Sequence, residues 1–111
     1  MNINEAVQEA YTNAVKKGWH QEKRSIGDMV ALMHSELSEA LEEHRKGKLP
    51  NEIYFNEIKT EKPEGIPVEL ADCVIRIFDF CGLHNIDLEA VIKQKMAYNN
   101  TRSFRHGNKT I

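Results

Sequence analysis

The sequence predicts an all-α fold, a four-helix bundle-type protomer formed by one domain over residues 1–111. Three observations predict it. Four segments carry apolar residues at helical spacing. Capping and breaking residues stand at the ends of those segments. No stretch shows a convincing strand pattern.

The first helix is expected from about Asn4 to Lys17, with Ala6, Val7, Ala10, Tyr11 and Ala14 on one face and Gly18 as its stop. The loop "WHQEKR" leads to Ser25, a good N-cap. A second helix then runs from Ile26 to Arg45 and stops before "KGKLP". The connection Gly47–Ile66 is rich in Lys, Glu, Pro and Gly, and loops of that length are usually functional or mobile. Its "IYF" can form a short element that packs on the body or on a partner. Pro67 suits the first turn of a third helix, which ends near Cys81 with Gly82 as its stop. Asp87 caps a fourth, ending near Asn100. The tail "TRSFRHGNKTI", residues 101–111, is polar and basic, lacks periodicity and is expected to be mobile unless a ligand or partner orders it.

Composition excludes several classes. A chain of 111 residues with 41% apolar content can bury a core without disulfides. Its 15 basic and 17 acidic residues, net charge −2, argue against nucleic-acid or membrane-surface binding. Cys73 and Cys81 fall in one helix roughly 12 Å apart along its axis, too far to pair. Two free thiols, a polar amphipathic N-terminus and apolar runs too short to span a bilayer lead to the expectation of a cytoplasmic protein. Walker, dinucleotide-glycine and zinc-spacing patterns are absent.

The carboxylates are the chemical feature. Residues 36–43 hold Glu36, Glu39, Glu42 and Glu43, and Glu69 and Asp72 follow three apart on the third helix. On a helical projection Ile26, Met29, Val30, Met33, Leu37, Ala40 and Leu41 share an arc of about 120°. Glu36, Glu39 and Glu43 border that arc, and Glu42 lies on the solvent side. The third helix is apolar over most of its circumference, so it is expected to be mostly buried. Its single polar arc, Glu69, Asp72, Arg76 and Asp79, is then expected to face a cleft. Carboxylates gathered in a cleft repel and lose solvation, so a cation or basic side chains must compensate. The donors are all oxygen, which favours a hard ion such as Mg²⁺, Mn²⁺ or Ca²⁺ over zinc. Arg76 and Asp79 are spaced to pair with each other at i,i+3. Asp79 is also placed to buttress a metal site, while His20 and His34 read as structural or simply exposed.

These features resemble the MazG-like family of all-α nucleoside triphosphate pyrophosphohydrolases. The resemblance rests on Glu36-Leu-Ser-Glu39 as E-x-x-E and Glu69-Leu-Ala-Asp72 as E-x-x-D. It extends to "GW" before the second helix, "PEGIPVELADCVIRIFD", "KMAYNNTR" and "RHG", and so covers the chain from about Trp19 to Gly107. The long Gly47–Ile66 connection departs from the pattern and bears on the substrate. The resemblance implies hydrolysis of a (d)NTP between the α and β phosphates to the monophosphate and pyrophosphate. It implies Mg²⁺, with Mn²⁺ as a substitute, on Glu36, Glu39, Glu69 and Asp72. One glutamate not fully occupied as a ligand can take the water's proton, and Glu39 is the choice for that role. Trp19 would stack on the base, and Lys95, Asn99 and Arg102 would contact phosphates. A homodimer or dimer of dimers would complete the cleft. Alternatives are a related phosphoribosyl-ATP pyrophosphohydrolase, a dUTPase-like enzyme, or a non-catalytic helical module whose acidic arcs dock a basic partner.

Overall fold

Asn2 starts the first helix with a reciprocal cap: its side chain accepts from the Glu5 N–H, and the Glu5 carboxylate accepts from the Asn2 N–H. The computed structural model describes residues 1–111, and helix α1 spans Ile3–Lys16. Ser25 caps α2, Ile26–Arg45, by accepting from the Asp28 N–H, and the bounds agree with those read from the sequence. Asp28 in the first turn and His44 and Arg45 in the last suit the helix dipole.

The connection that follows is not wholly irregular. Strands β1 (Tyr54–Phe55) and β2 (Pro63–Glu64) form an antiparallel hairpin with Tyr54 opposite Glu64. Two-residue strands are too short to show a period-two pattern, which is why the sequence reading found none. The hairpin is tied to α2 by the Tyr54 hydroxyl, which donates to Glu43 at 2.7 Å. Gly65 ends it with φ +125, and a Cβ there would run into the Glu52 carbonyl oxygen. Only glycine lets the returning chain pass this close and turn into α3.

Helix α3 spans Ile66–Leu83 and so continues past Gly82, the expected stop. Gly82 has another reason to be there. A Cβ at this position would run into Tyr11, so the glycine lets α1 approach α3. Helix α3 is the central element, packed on α1 and on α2. Helix α4, Leu88–Thr101, is capped by Asp87 as expected, but no residue of it is buried. It joins the body chiefly through α1, where Ile3 N–H donates to Glu89 and Asn4 Nδ2 donates to Asp87. The chain is therefore three packed helices with a loosely attached fourth, short of a closed four-helix bundle. The tail carries a short left-handed turn, α5, at Arg105–Asn108, where all four residues have positive φ.

The core is small and partly polar. Ala6, Val7, Met29, Ala40, Cys73 and Cys81 are buried, and so are Glu36, Glu43 and Asp79. Both cysteines are free, as their separation along the helix requires. On α2 the buried line is Met29, Glu36, Ala40 and Glu43. The helix is thus turned toward its glutamates, and Ile26, Val30, Leu37 and Leu41, expected in the core, are exposed. On α3 Leu70, Val74 and Ile75 are exposed too, so the single chain does not bury this helix on all its apolar sides. The radius of gyration is 16.7 Å, against about 13 Å for a compact domain of this length. No helix is long and apolar enough to cross a membrane.

Candidate metal and substrate cleft

Glu36 is placed by the rotation of α2, and Glu69 and Asp72 by the first two turns of α3. One carboxylate oxygen from each of these three lies within 4.8 Å of the others. Glu36 is buried, Glu69 half-buried and Asp72 half-exposed at the rim. Glu39, the fourth expected ligand, is exposed and stands outside this set of three, close enough to hydrogen-bond with Glu69.

The electrostatics are those of a crowded acidic site. Burial, then hydrogen bonding with Glu39 and Glu36, pushes the Glu69 carboxyl up to about 8. Burial and the Glu36 charge push Asp72 upward as well. Burial also pushes Glu36 upward, but its hydrogen bonds with Arg76 and Glu69 and the Arg76 charge outweigh that, and its carboxyl titrates below the usual range. Arg76 Nε donates to Glu36 Oε1 at 2.8 Å. The other oxygen, Glu36 Oε2, is buried with no amide, hydroxyl or basic donor, and so is Glu69 Oε2; only a proton shared with a neighbouring carboxyl can serve them.

Those two orphaned oxygens test whether a cation fits. A buried carboxylate oxygen with no partner is costly, and a hard divalent ion satisfies it directly. Three carboxylates from two helices, with no Cys or His among them, form an oxygen-only donor set of the kind hard divalent cations take.

Beside the carboxylates opens a cleft of about 330 Å³. Glu36, Asp72 and Asp79 line it, as do Lys17, Arg24 and Arg76, with Trp19 at its mouth. Trp19 is 61% exposed, so its ring is presented to the cleft and does not cap the core. The loop that carries it is held by His20, whose Nε2 meets Asp79 Oδ1 at 2.7 Å while Tyr11 packs on the imidazole.

One sequence expectation is corrected here. Arg76 and Asp79 do not pair with each other: Arg76 reaches across to Glu36, and Asp79 turns to His20. Helical spacing named an available partner, while contacts between elements decided the actual ones. His34 is exposed and Glu42 is on the solvent side, paired with Arg45 at 3.2 Å. Lys95, Asn99 and Arg102 do not line the cleft of their own chain. Lys95 and Arg102 instead gather over Tyr98 on the exposed α4. Sequence reasoning missed Lys17 and Arg24. Their only signal was a basic loop, "KKGWHQEKR", around the single tryptophan.

The chain was compared with protein-family models, curated proteins and solved structures, and none of the three comparisons yields a match.

Proposed function

We propose that this chain is a divalent-cation-dependent nucleoside triphosphate pyrophosphohydrolase of the MazG-like kind, releasing a nucleoside monophosphate and pyrophosphate. One observation carries the reading: α2 and α3 converge Glu36, Glu69 and Asp72 to within 4.8 Å and leave two of their buried oxygens without donors. A triphosphate repels such a site and can be held there only through cations. Glu36, Glu69 and Asp72 are the residues that would hold Mg²⁺ or Mn²⁺. Bound there, the ion would supply charge neutralisation and Lewis acidity at the phosphoryl oxygens.

The chain's own residues do the rest. Glu39 is exposed beside Glu69 and is the carboxylate not required as a ligand. It takes the proton from the water that forms the new P–O bond as the α–β anhydride P–O bond breaks. Trp19 offers a free aromatic face to the base. Phosphate contacts are assigned to Lys95, Asn99 and Arg102 by resemblance alone. Because α4 does not reach its own cleft, these contacts require a second copy of the chain.

A homodimer, or a dimer of dimers, is part of the same proposal. Ile26, Val30, Leu37 and Leu41 on α2, with Leu70, Val74 and Ile75 on α3, are apolar side chains left exposed on two packed helices, and a second copy would cover them. Sedimentation equilibrium reads this directly.

The test of the reaction is a product assay. Ribo- and deoxyribonucleoside triphosphates are incubated with Mg²⁺ or EDTA and the products resolved. Metal-dependent monophosphate and pyrophosphate, lost in Glu39→Gln and Asp72→Asn, is the expected result. Diphosphate and orthophosphate would refute the cleavage position, and no turnover of any triphosphate would refute the enzyme.

A further inference from the structure

We infer that Arg24 reads the nucleobase, selecting bases that present two adjacent hydrogen-bond acceptors on one edge. This rests on the proposed triphosphate site. The argument starts from an unused group. Arg24 enters no ion pair and no hydrogen bond of the protein, and its Nε is buried with no acceptor. Yet three carboxylates, Glu36, Asp72 and Asp79, line the same cleft. Arg76 and His20 take up Glu36 and Asp79, and Asp72 makes no hydrogen bond or ion pair with Arg24, so the guanidinium rests against the Trp19 ring with no polar partner.

Its neighbour defines the kind of ligand. The Arg24 guanidinium carbon lies over the Trp19 ring, 5.9 Å from its centroid and so off-centre, and the ring is still 61% exposed. An aromatic face beside a forked donor suits a flat, heteroaromatic ligand with acceptors in its plane. On this reading the carboxylates, with cations, take the phosphates, and Trp19 with Arg24 takes the base.

Arginine has five N–H donors and no acceptor. Its fork matches guanine at O6 and N7, and by the same geometry cytosine at O2 and N3. Adenine pairs its N7 with an amino donor, and the uracil edge places an N–H between its carbonyls. Both meet the guanidinium with one matched and one clashing group. Guanine and cytosine nucleotides are therefore favoured over adenine and uracil nucleotides.

The experiment compares GTP, CTP, ATP and UTP as substrates for the wild type, Arg24→Gln and Arg24→Ala, with melting temperature as the folding control. A second readout needs no turnover: quenching of Trp19, the sole tryptophan, by GMP, CMP, AMP and UMP. The wild type should prefer guanine and cytosine by on the order of tenfold in kcat/KM, the size of one bidentate base contact. Arg24→Ala should flatten the ranking through KM. Arg24→Gln should shift it toward ATP, because a glutamine amide matches adenine N6 and N7. A ranking unchanged in either variant, or an equal loss for all four bases, would overturn the inference. No turnover with Arg24-dependent, base-selective quenching would overturn the hydrolase and keep the base site. Neither turnover nor selective quenching would overturn both.

Discussion

His20, in the loop between α1 and α2, meets Asp79 of α3 with 2.7 Å between Nε2 and Oδ1. Both side chains are nearly out of solvent, at 13% and 11% exposure. The pair fastens the loop that carries Trp19 and Arg24 to the helix that carries Glu69 and Asp72. Asp79→Ala leaves the imidazole nitrogen without its partner and should cost about 1–3 kcal/mol in urea unfolding. Trp19 fluorescence should also respond, because its loop loses the anchor. A variant with wild-type stability and emission would show that the contact holds nothing.

Divalent ions should stabilise the protein. Binding to the native state alone adds about 2.7 kcal/mol at a free concentration of about 100 Kd. The melting temperature should therefore rise in Mg²⁺ or Mn²⁺ and return in EDTA. Asp72→Asn and Glu69→Gln should each remove the rise, since each takes one oxygen ligand from the set of three. An equal rise in wild type and variants would place the ion elsewhere.

The pH dependence should run against the usual carboxylate pattern. Burial and its neighbours raise Glu69 from 4.5 to about 8, so the folded chain binds a proton there that the unfolded chain has released. The stability Glu69 contributes is full below pH 4.5 and is lost as pH rises through about 8. Glu36 works in the opposite sense: its carboxyl is lowered, so its contribution is present above 4.5 and is lost as pH falls through the folded value. Melting in EDTA between pH 5 and 9 should show the alkaline loss in wild type and not in Glu69→Gln. Cation binding near pH 7 should release a proton, visible as a calorimetric heat that varies with the buffer's ionisation enthalpy.

Gly82→Ala should destabilise although alanine is the better helix former. The new methyl would run into Tyr11, forcing α1 away from α3. Overpacking of this kind costs about 1–3 kcal/mol. Chemical denaturation of the variant reads it, and a gain in stability would mean that α1 yields freely.

Tyr54→Phe should loosen the hairpin. It removes the hydroxyl that donates to buried Glu43 at 2.7 Å, leaving that carboxylate under-satisfied at about 1–3 kcal/mol. The same hydrogen bond, with burial and the Glu43 charge, pushes the Tyr54 phenol up to about 12. Hydrogen exchange should quicken at the Asn56 amide, which donates to the Lys62 carbonyl across the hairpin.

The sequence by itself determined the helical elements and the identity of the acidic residues. Caps at Ser25 and Asp87 and periodic apolar residues are local signals, written within a turn or two of the structure they set. The i,i+3 carboxylates share a helix face by geometry alone, whatever that face touches. Tertiary structure decided how each helix is turned about its axis. Met29, Ala40 and two glutamates line the inside of α2, while Ile26, Val30, Leu37 and Leu41 lie outside. A projection assigns the inside to the most apolar arc. A chain that gathers charge at its centre and leaves apolar surface uncovered departs from that rule. Partners across elements were equally out of reach. Arg76 meets Glu36 forty positions away, and His20 meets Asp79 fifty-nine positions away. Such pairs arise only when α1, α2 and α3 pack, because long-range contacts depend on where whole elements lie and not on spacing along any one of them.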